Sequence, residues 1–78
     1  MIKVYSTPTC PWCRKAKSYL QSKNVPFEDI NVATDLRGRE EMFNISGQSG
    51  VPVLDLCGNV VLGFDQRAID DALTTCKQ

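Results

Sequence analysis

The sequence predicts an α/β domain: a mixed four-stranded sheet flanked by three helices, in the order β-α-β-α-β-β-α. Three observations predict it. Short runs rich in β-branched and aromatic residues alternate with segments whose apolar residues recur at helical spacing. A helix separates the first two strands, and a β-α-β crossover makes them parallel. Gly58-Asn59 lies between two short apolar runs, which marks a hairpin and an antiparallel pair at the other side. The 78 residues read as one domain spanning 1–78.

Residues 2–6 mix apolar and polar positions and read as the first strand. Thr7-Pro8-Thr9 breaks it. Pro11 fits the first turn of a helix, where its missing N–H costs nothing, with Thr9 or Cys10 near the cap. Trp12, Cys13, Ala16, Tyr19 and Leu20 are spaced for a helix from Pro11 to Lys23. Asn24 ends it and Val25-Pro26 prevents continuation. Phe27 to Val32 reads as the second strand. Thr34 or Asp35 caps a second helix carrying Leu36, Met42, Phe43 and Ile45. Ser46-Gly47-Gln48-Ser49-Gly50 is a loop by composition. Val51 to Leu56 and Val60 to Leu62 are the third and fourth strands around Gly58-Asn59. Gly63-Phe64-Asp65 turns a corner, with Asp65 as the cap of a last helix. That helix buries Ile69, Ala72, Leu73 and Cys76 on one face.

Nine basic and nine acidic residues cancel, so charge offers no attraction to nucleic acid or to an anionic membrane. No apolar run approaches the ~20 residues that span a bilayer. The first residues, Met1-Ile2-Lys3-Val4-Tyr5-Ser6, carry a lysine among few apolar positions, so no secretory signal is expected. The expectation is a cytoplasmic monomer whose four cysteines are thiols at rest or transient disulfides. There is no histidine. That excludes Ser-His and Cys-His nucleophile pairs and zinc sites of mixed cysteine and histidine.

Cys10-Pro11-Trp12-Cys13 follows a strand and opens a helix, which is a redox signature in an α/β chain. The thiolate is the nucleophile, and a free thiol is mostly protonated at neutral pH. Unpaired N–H groups and the macrodipole at a helix N-terminus favour negative charge on the first sulfur, Cys10. Cys13 lies one turn inward, close enough for a disulfide to close. Cys10 is expected to attack a substrate disulfide, and Cys13 to attack the resulting mixed disulfide and release the reduced product. Pro11 stiffens the turn and Trp12 offers a flat apolar surface for docking. The plainer reading, two small core residues, does not explain a proline-containing pair at a strand–helix junction. A metal site is not expected, because Cys57 and Cys76 stand singly and far apart in the chain.

These residues carry a resemblance. Cys10-Pro11-Trp12-Cys13 resembles the Cys-Pro-Tyr-Cys centre of glutaredoxins, Gly50-Val51-Pro52 their Thr-Val-Pro segment, and Gly63-Phe64-Asp65 their Gly-Gly-x-Asp stretch. The three stand in the family's order, and the match spans essentially the whole chain. The resemblance implies a thioredoxin-like fold, with Pro52 cis and facing the cysteines. It implies glutathione as electron donor and no metal. It implies a groove in which Val51 pairs with the tripeptide backbone, Gly63, Phe64 and Asp65 hold its γ-glutamyl end, and Gln48 reaches its glycine carboxylate. Asp65 also reads as a plain helix cap, Phe64 as a groove wall, and Gln48-Ser49 as polar loop. Disulfide-containing proteins are the expected substrates.

The chain departs from the family at three places. Ser6-Thr7-Pro8-Thr9 has no charge where many glutaredoxins carry a lysine. Ser49 stands where a basic residue is common, and Phe64 where glycine or cysteine is. The Gly63-Phe64 corner is similar to redoxins of the NrdH type, which take electrons from thioredoxin reductase, a flavin disulfide reductase, and feed ribonucleotide reductase. A third reading is an iron–sulfur module held by Cys10 and glutathione; members of that kind usually have a single active-site cysteine, and Cys13 argues against it. Cys76 reads as a buried thiol. Cys57, at the hairpin, reads as exposed and open to glutathionylation or an intermolecular disulfide.

Overall fold

A computed structural model describes residues 2–48 and 50–76, so the Ser49 position of the 46–50 loop lies outside the described residues. The elements are β1 (Ile2–Ser6), α1 (Pro11–Ser22), β2 (Glu28–Asn31), α2 (Leu36–Ser46), β3 (Val53–Leu56), β4 (Asn59–Leu62) and α3 (Gln66–Thr75). This is the predicted order. The sheet runs β2-β1-β3-β4. β1 and β2 are parallel, with Lys3 opposite Glu28. β1 pairs antiparallel with β3, and β3 with β4.

Side chains alternate across the sheet and so divide the core in two. Ile2, Val4, Leu54, Leu56 and Val61 pack against Ala16 and Leu20 of α1 and Ile69 and Ala72 of α3. On the other face, Tyr5, Ile30, Val32 and Val53 pack with Met42 of α2. Leu36, Phe43 and Ile45, which share the helical spacing of Met42, are exposed. Only Met42 and Gly38 of α2 are buried. Gly38 is what lets the helix lie flat: a Cβ there would stand 2.4 Å from Ile30 Cγ2.

The caps follow the sequence. Cys10 caps α1, Asp35 caps α2 through the Gly38 N–H and Asp65 caps α3 through the Ala68 N–H. The hairpin sits one residue earlier than Gly58-Asn59. Leu56 pairs with Asn59, so the turn is Cys57-Gly58, both at positive φ (55° and 94°). A two-residue turn of this kind needs positive φ at both central positions. The Asp55 carboxylate secures it by accepting the Gly58 N–H at 2.9 Å.

Register brings the functional segments together. Tyr5 opposes Val53 and Val53 opposes Leu62. The exit of β1, the entry of β3 and the exit of β4 therefore share one end of the sheet. The 7–10 turn, Val51-Pro52 and the 63–65 corner all lie there. The Cys57-Gly58 turn lies at the opposite end.

Candidate active site

Cys10 takes an extended conformation (φ −91°, ψ 112°) just before α1, and its N–H donates to the Thr7 carbonyl at 3.4 Å. This curls the 7–10 turn back and sets the Cys10 side chain over the first turn of the helix. Cys10 Sγ accepts the Cys13 N–H at 3.2 Å. A sulfur in the capping position receives one of the helix's unpaired donors and sits at the positive end of its dipole. Pro11 occupies the first helical position, where no donor is lost.

The two sulfurs differ in environment. Cys10 is half-buried, whereas Cys13 is fully buried. Burial, and then its hydrogen bond with the Cys10 sulfur, push the Cys13 thiol up to about 11. Of the two sulfurs, Cys10 is the more accessible to a reagent from solvent.

Beside the pair lies a groove of about 270 Å³ lined by Trp12, Val51, Pro52, Gly63 and Phe64. The Val51–Pro52 peptide is cis, as the resemblance implies. The Gly63 N–H donates to the Pro52 carbonyl at 2.8 Å, which ties the two backbone segments of the groove together. Gly63 holds φ +75°, a conformation open to glycine at little cost. The Phe64 ring lies 6.5 Å from Trp12 and meets Tyr19 edge-on at 5.9 Å.

Of the predicted groove residues, Pro11, Gln48 and Asp65 are not among these walls. Gln48 has its backbone tied to the Ser46 hydroxyl, whose Oγ donates to its carbonyl and accepts its N–H. Asp65 is exposed and accepts the Ala68 N–H at 3.2 Å, the helix-capping role. Two residues that the sequence reading does not assign to the site support it. Tyr19 backs Phe64, and its hydroxyl donates to Asp70 of α3, so α1 and α3 are joined beneath the groove. That bond holds the Asp70 carboxyl below its ordinary value. Lys15 places its ammonium 4.5 Å from the centre of the Trp12 ring. Both lie on the Trp12 side of α1, at i+3 and i+7, which is the signal that could have found them.

Cys57 and Cys76 are joined by a disulfide, with Cα atoms 5.5 Å apart. This corrects the expectation of an intermolecular disulfide at Cys57 and of a free buried thiol at Cys76. The reason is tertiary: the hairpin turn and the end of α3 meet, although 19 residues separate them. Among the described residues no group of three or more His, Cys, Asp or Glu converges as a metal site, and no helix is long and apolar enough to cross a membrane.

A thioredoxin-like fold with a Cys-x-x-Cys pair at the N-terminus of its first helix defines a thiol–disulfide redox protein. Residues 2–61 match the family model described as Glutaredoxin. The chain is 60% identical over 70 residues to an uncharacterized glutaredoxin-like 8.6 kDa protein in the rubredoxin operon of Clostridium pasteurianum, covering 90% of this chain and 93% of that one. It is 34% identical over 71 residues to glutaredoxin 3 of Escherichia coli K12, covering 91% and 86%. Among solved structures, a thioredoxin-like protein, BC3987, superposes with TM-score 0.87 at 29% identity, covering 92% of this chain and 99% of that one. The chain belongs to the glutaredoxin family.

Proposed function

We propose that this protein is a dithiol glutaredoxin that reduces protein disulfides and mixed glutathione disulfides in the cytoplasm, with glutathione returning the electrons. The observation that carries the reading is the inequality of the two sulfurs: Cys10 half-buried at the helix cap, Cys13 buried with its thiol pushed up to about 11. The Cys10 thiolate attacks a substrate disulfide, and the leaving thiolate takes a proton. Once Cys10 is in the mixed disulfide, its sulfur no longer carries the charge that helps hold the proton on Cys13. Cys13 then attacks Cys10 Sγ and expels the second product thiol. Two glutathione thiols reopen the Cys10–Cys13 disulfide and leave as oxidised glutathione. The groove edge at Val51-Pro52 suits an extended peptide, because Pro52 donates no ladder hydrogen bond and leaves the preceding segment open. In this reading Pro11 and Trp12 border the reacting sulfur, Val51 pairs with the tripeptide, and Gly63, Phe64, Asp65 and Gln48 serve its ends.

A second reading is favoured by one feature, the apolar character of the groove, whose walls include Trp12 and Phe64 and no charged residue. It makes the protein an electron carrier reduced by a flavin disulfide reductase and serving one protein partner such as ribonucleotide reductase. A donor comparison separates the two. Glutathione, glutathione reductase and NADPH are expected to drive reduction of a small mixed disulfide, with Cys10→Ser abolishing turnover. Turnover only with thioredoxin reductase and NADPH supports the carrier. No turnover above the Cys10→Ser control with either donor contradicts both.

A further inference from the structure

The pole of the sheet opposite Cys10 carries a second pair of sulfurs that the proposed cycle does not use. Cys57 stands in the exposed β3–β4 turn, and Cys76 closes α3 with 5% of its surface accessible. Their Cα separation of 5.5 Å lies within the range of about 4.4–6.8 Å that disulfides span. The same two elements are bridged beside them by Asn59 Nδ2, which donates to Thr75 Oγ1 at 3.2 Å. The hairpin and the helix end thus share a polar contact beside the sulfurs in addition to the S–S bond. β3 separates this pair from Pro52 by about 17 Å at ~3.3 Å per residue, so the two pairs of one chain do not exchange directly.

We infer that Cys57 and Cys76 are a second, independent thiol–disulfide couple, which small disulfides close and small thiols reopen, and which when closed clamps the end of α3 to the β3–β4 hairpin. The inequality of exposure fixes the order of events. In closing, the Cys57 thiolate attacks a low-molecular-weight disulfide, forming a mixed disulfide and releasing one thiol. Cys76 then attacks Cys57 Sγ and releases the second thiol. Two protein thiols are oxidised, one small disulfide is reduced, and two protons pass to the released thiolates. In opening, a small thiolate enters at the Cys57 sulfur, because exposed disulfides are the readily reducible ones. Closed, the couple clamps the β3–β4 hairpin to the end of α3. This inference does not rest on glutathione being the donor for Cys10 and Cys13.

The test uses the full chain with Cys10→Ser and Cys13→Ser, so that only this couple remains. The protein is equilibrated with mixtures of reduced and oxidised glutathione, quenched in acid, alkylated and weighed intact. Both thiols should disappear together, with no accumulated glutathione adduct, and excess reduced glutathione should restore them. The closed form should melt more than about 5 °C above the open form, since the bridge closes a 19-residue separation. Adding Cys76→Ala should stop the reaction at a glutathione adduct on Cys57. Four results overturn the inference: thiols that stay alkylatable in the most oxidising mixture, an adduct that accumulates with Cys76 present, a bridge that reduced glutathione does not open, or equal melting temperatures. Should that variant fold poorly, the fully reduced wild-type chain gives the same answer. It should consume two equivalents of oxidised glutathione, and consumption of one overturns the inference.

Discussion

At the scale of single residues, burial decides what each titratable group near the core does. Cys13 and Tyr5 hold their protons to higher pH in the folded chain than in the unfolded one. The Cys13 thiol moves from 9.0 to about 11, by burial and then by the neighbouring Cys10 sulfur. The Tyr5 hydroxyl, which donates to Glu41 Oε1 at 3.3 Å, moves from 10.0 to about 12, by burial and then by the Glu41 charge. The native state therefore binds more protons than the unfolded state in this range, and stability falls as pH rises. The contribution is whole below the ordinary values and is lost through about 11 for Cys13 and about 12 for Tyr5. The urea midpoint of the reduced protein should be flat near neutrality and fall across the alkaline window. Tyr5→Phe should remove the upper part of the fall, and closing the Cys10–Cys13 disulfide the lower part. A midpoint that holds level or rises there contradicts the assignment.

At the scale of elements, α2 is the one whose packing rests on a missing side chain. Gly38 approaches Ile30 too closely for a methyl group. Gly38→Ala should destabilise the protein by about 1–3 kcal/mol through overpacking, although alanine favours an isolated helix by about 1 kcal/mol. Equilibrium urea unfolding measures this, and a stabilised variant would show that α2 shifts freely on the sheet. The same element marks where sequence reading succeeds and fails. Asp65 is legible as a cap, and Cys10 and Asp35 each as one of two adjacent candidates, because capping is a local arrangement of one side chain and an N–H two or three residues on. Of Leu36, Met42, Phe43 and Ile45 only Met42 is buried, because helical spacing does not say which arc of a short helix meets the sheet. The hairpin was placed one residue late, since both Cys57-Gly58 and Gly58-Asn59 contain a glycine and only strand register chooses between them.

At the scale of the whole molecule, strand order makes the site. Cys10 and Cys13 were legible because three residues and a helix start contain their chemistry. The groove was not legible from patterning alone, since Trp12, Val51, Pro52, Gly63 and Phe64 come from three separated segments. The antiparallel pairing of β1 with β3 carries them to one end, and it is a non-local choice that no short stretch reveals. At the other end α3 packs against β3 and β4, which is why two cysteines that look unrelated in sequence, Cys57 and Cys76, meet in the fold.

The central claim is that Cys10 attacks and Cys13 resolves. Its most direct measurement is a trap: oxidised glutathione is added to the reduced Cys13→Ser and Cys10→Ser variants, and the time course of each adduct is followed by peptide mass mapping. Cys13→Ser should rapidly form a lasting glutathione adduct on Cys10, where the unaltered chain goes on to close the Cys10–Cys13 disulfide. Cys10→Ser should leave Cys13 unmodified over the same interval. Capture of glutathione by Cys13 as fast as by Cys10 would contradict the account.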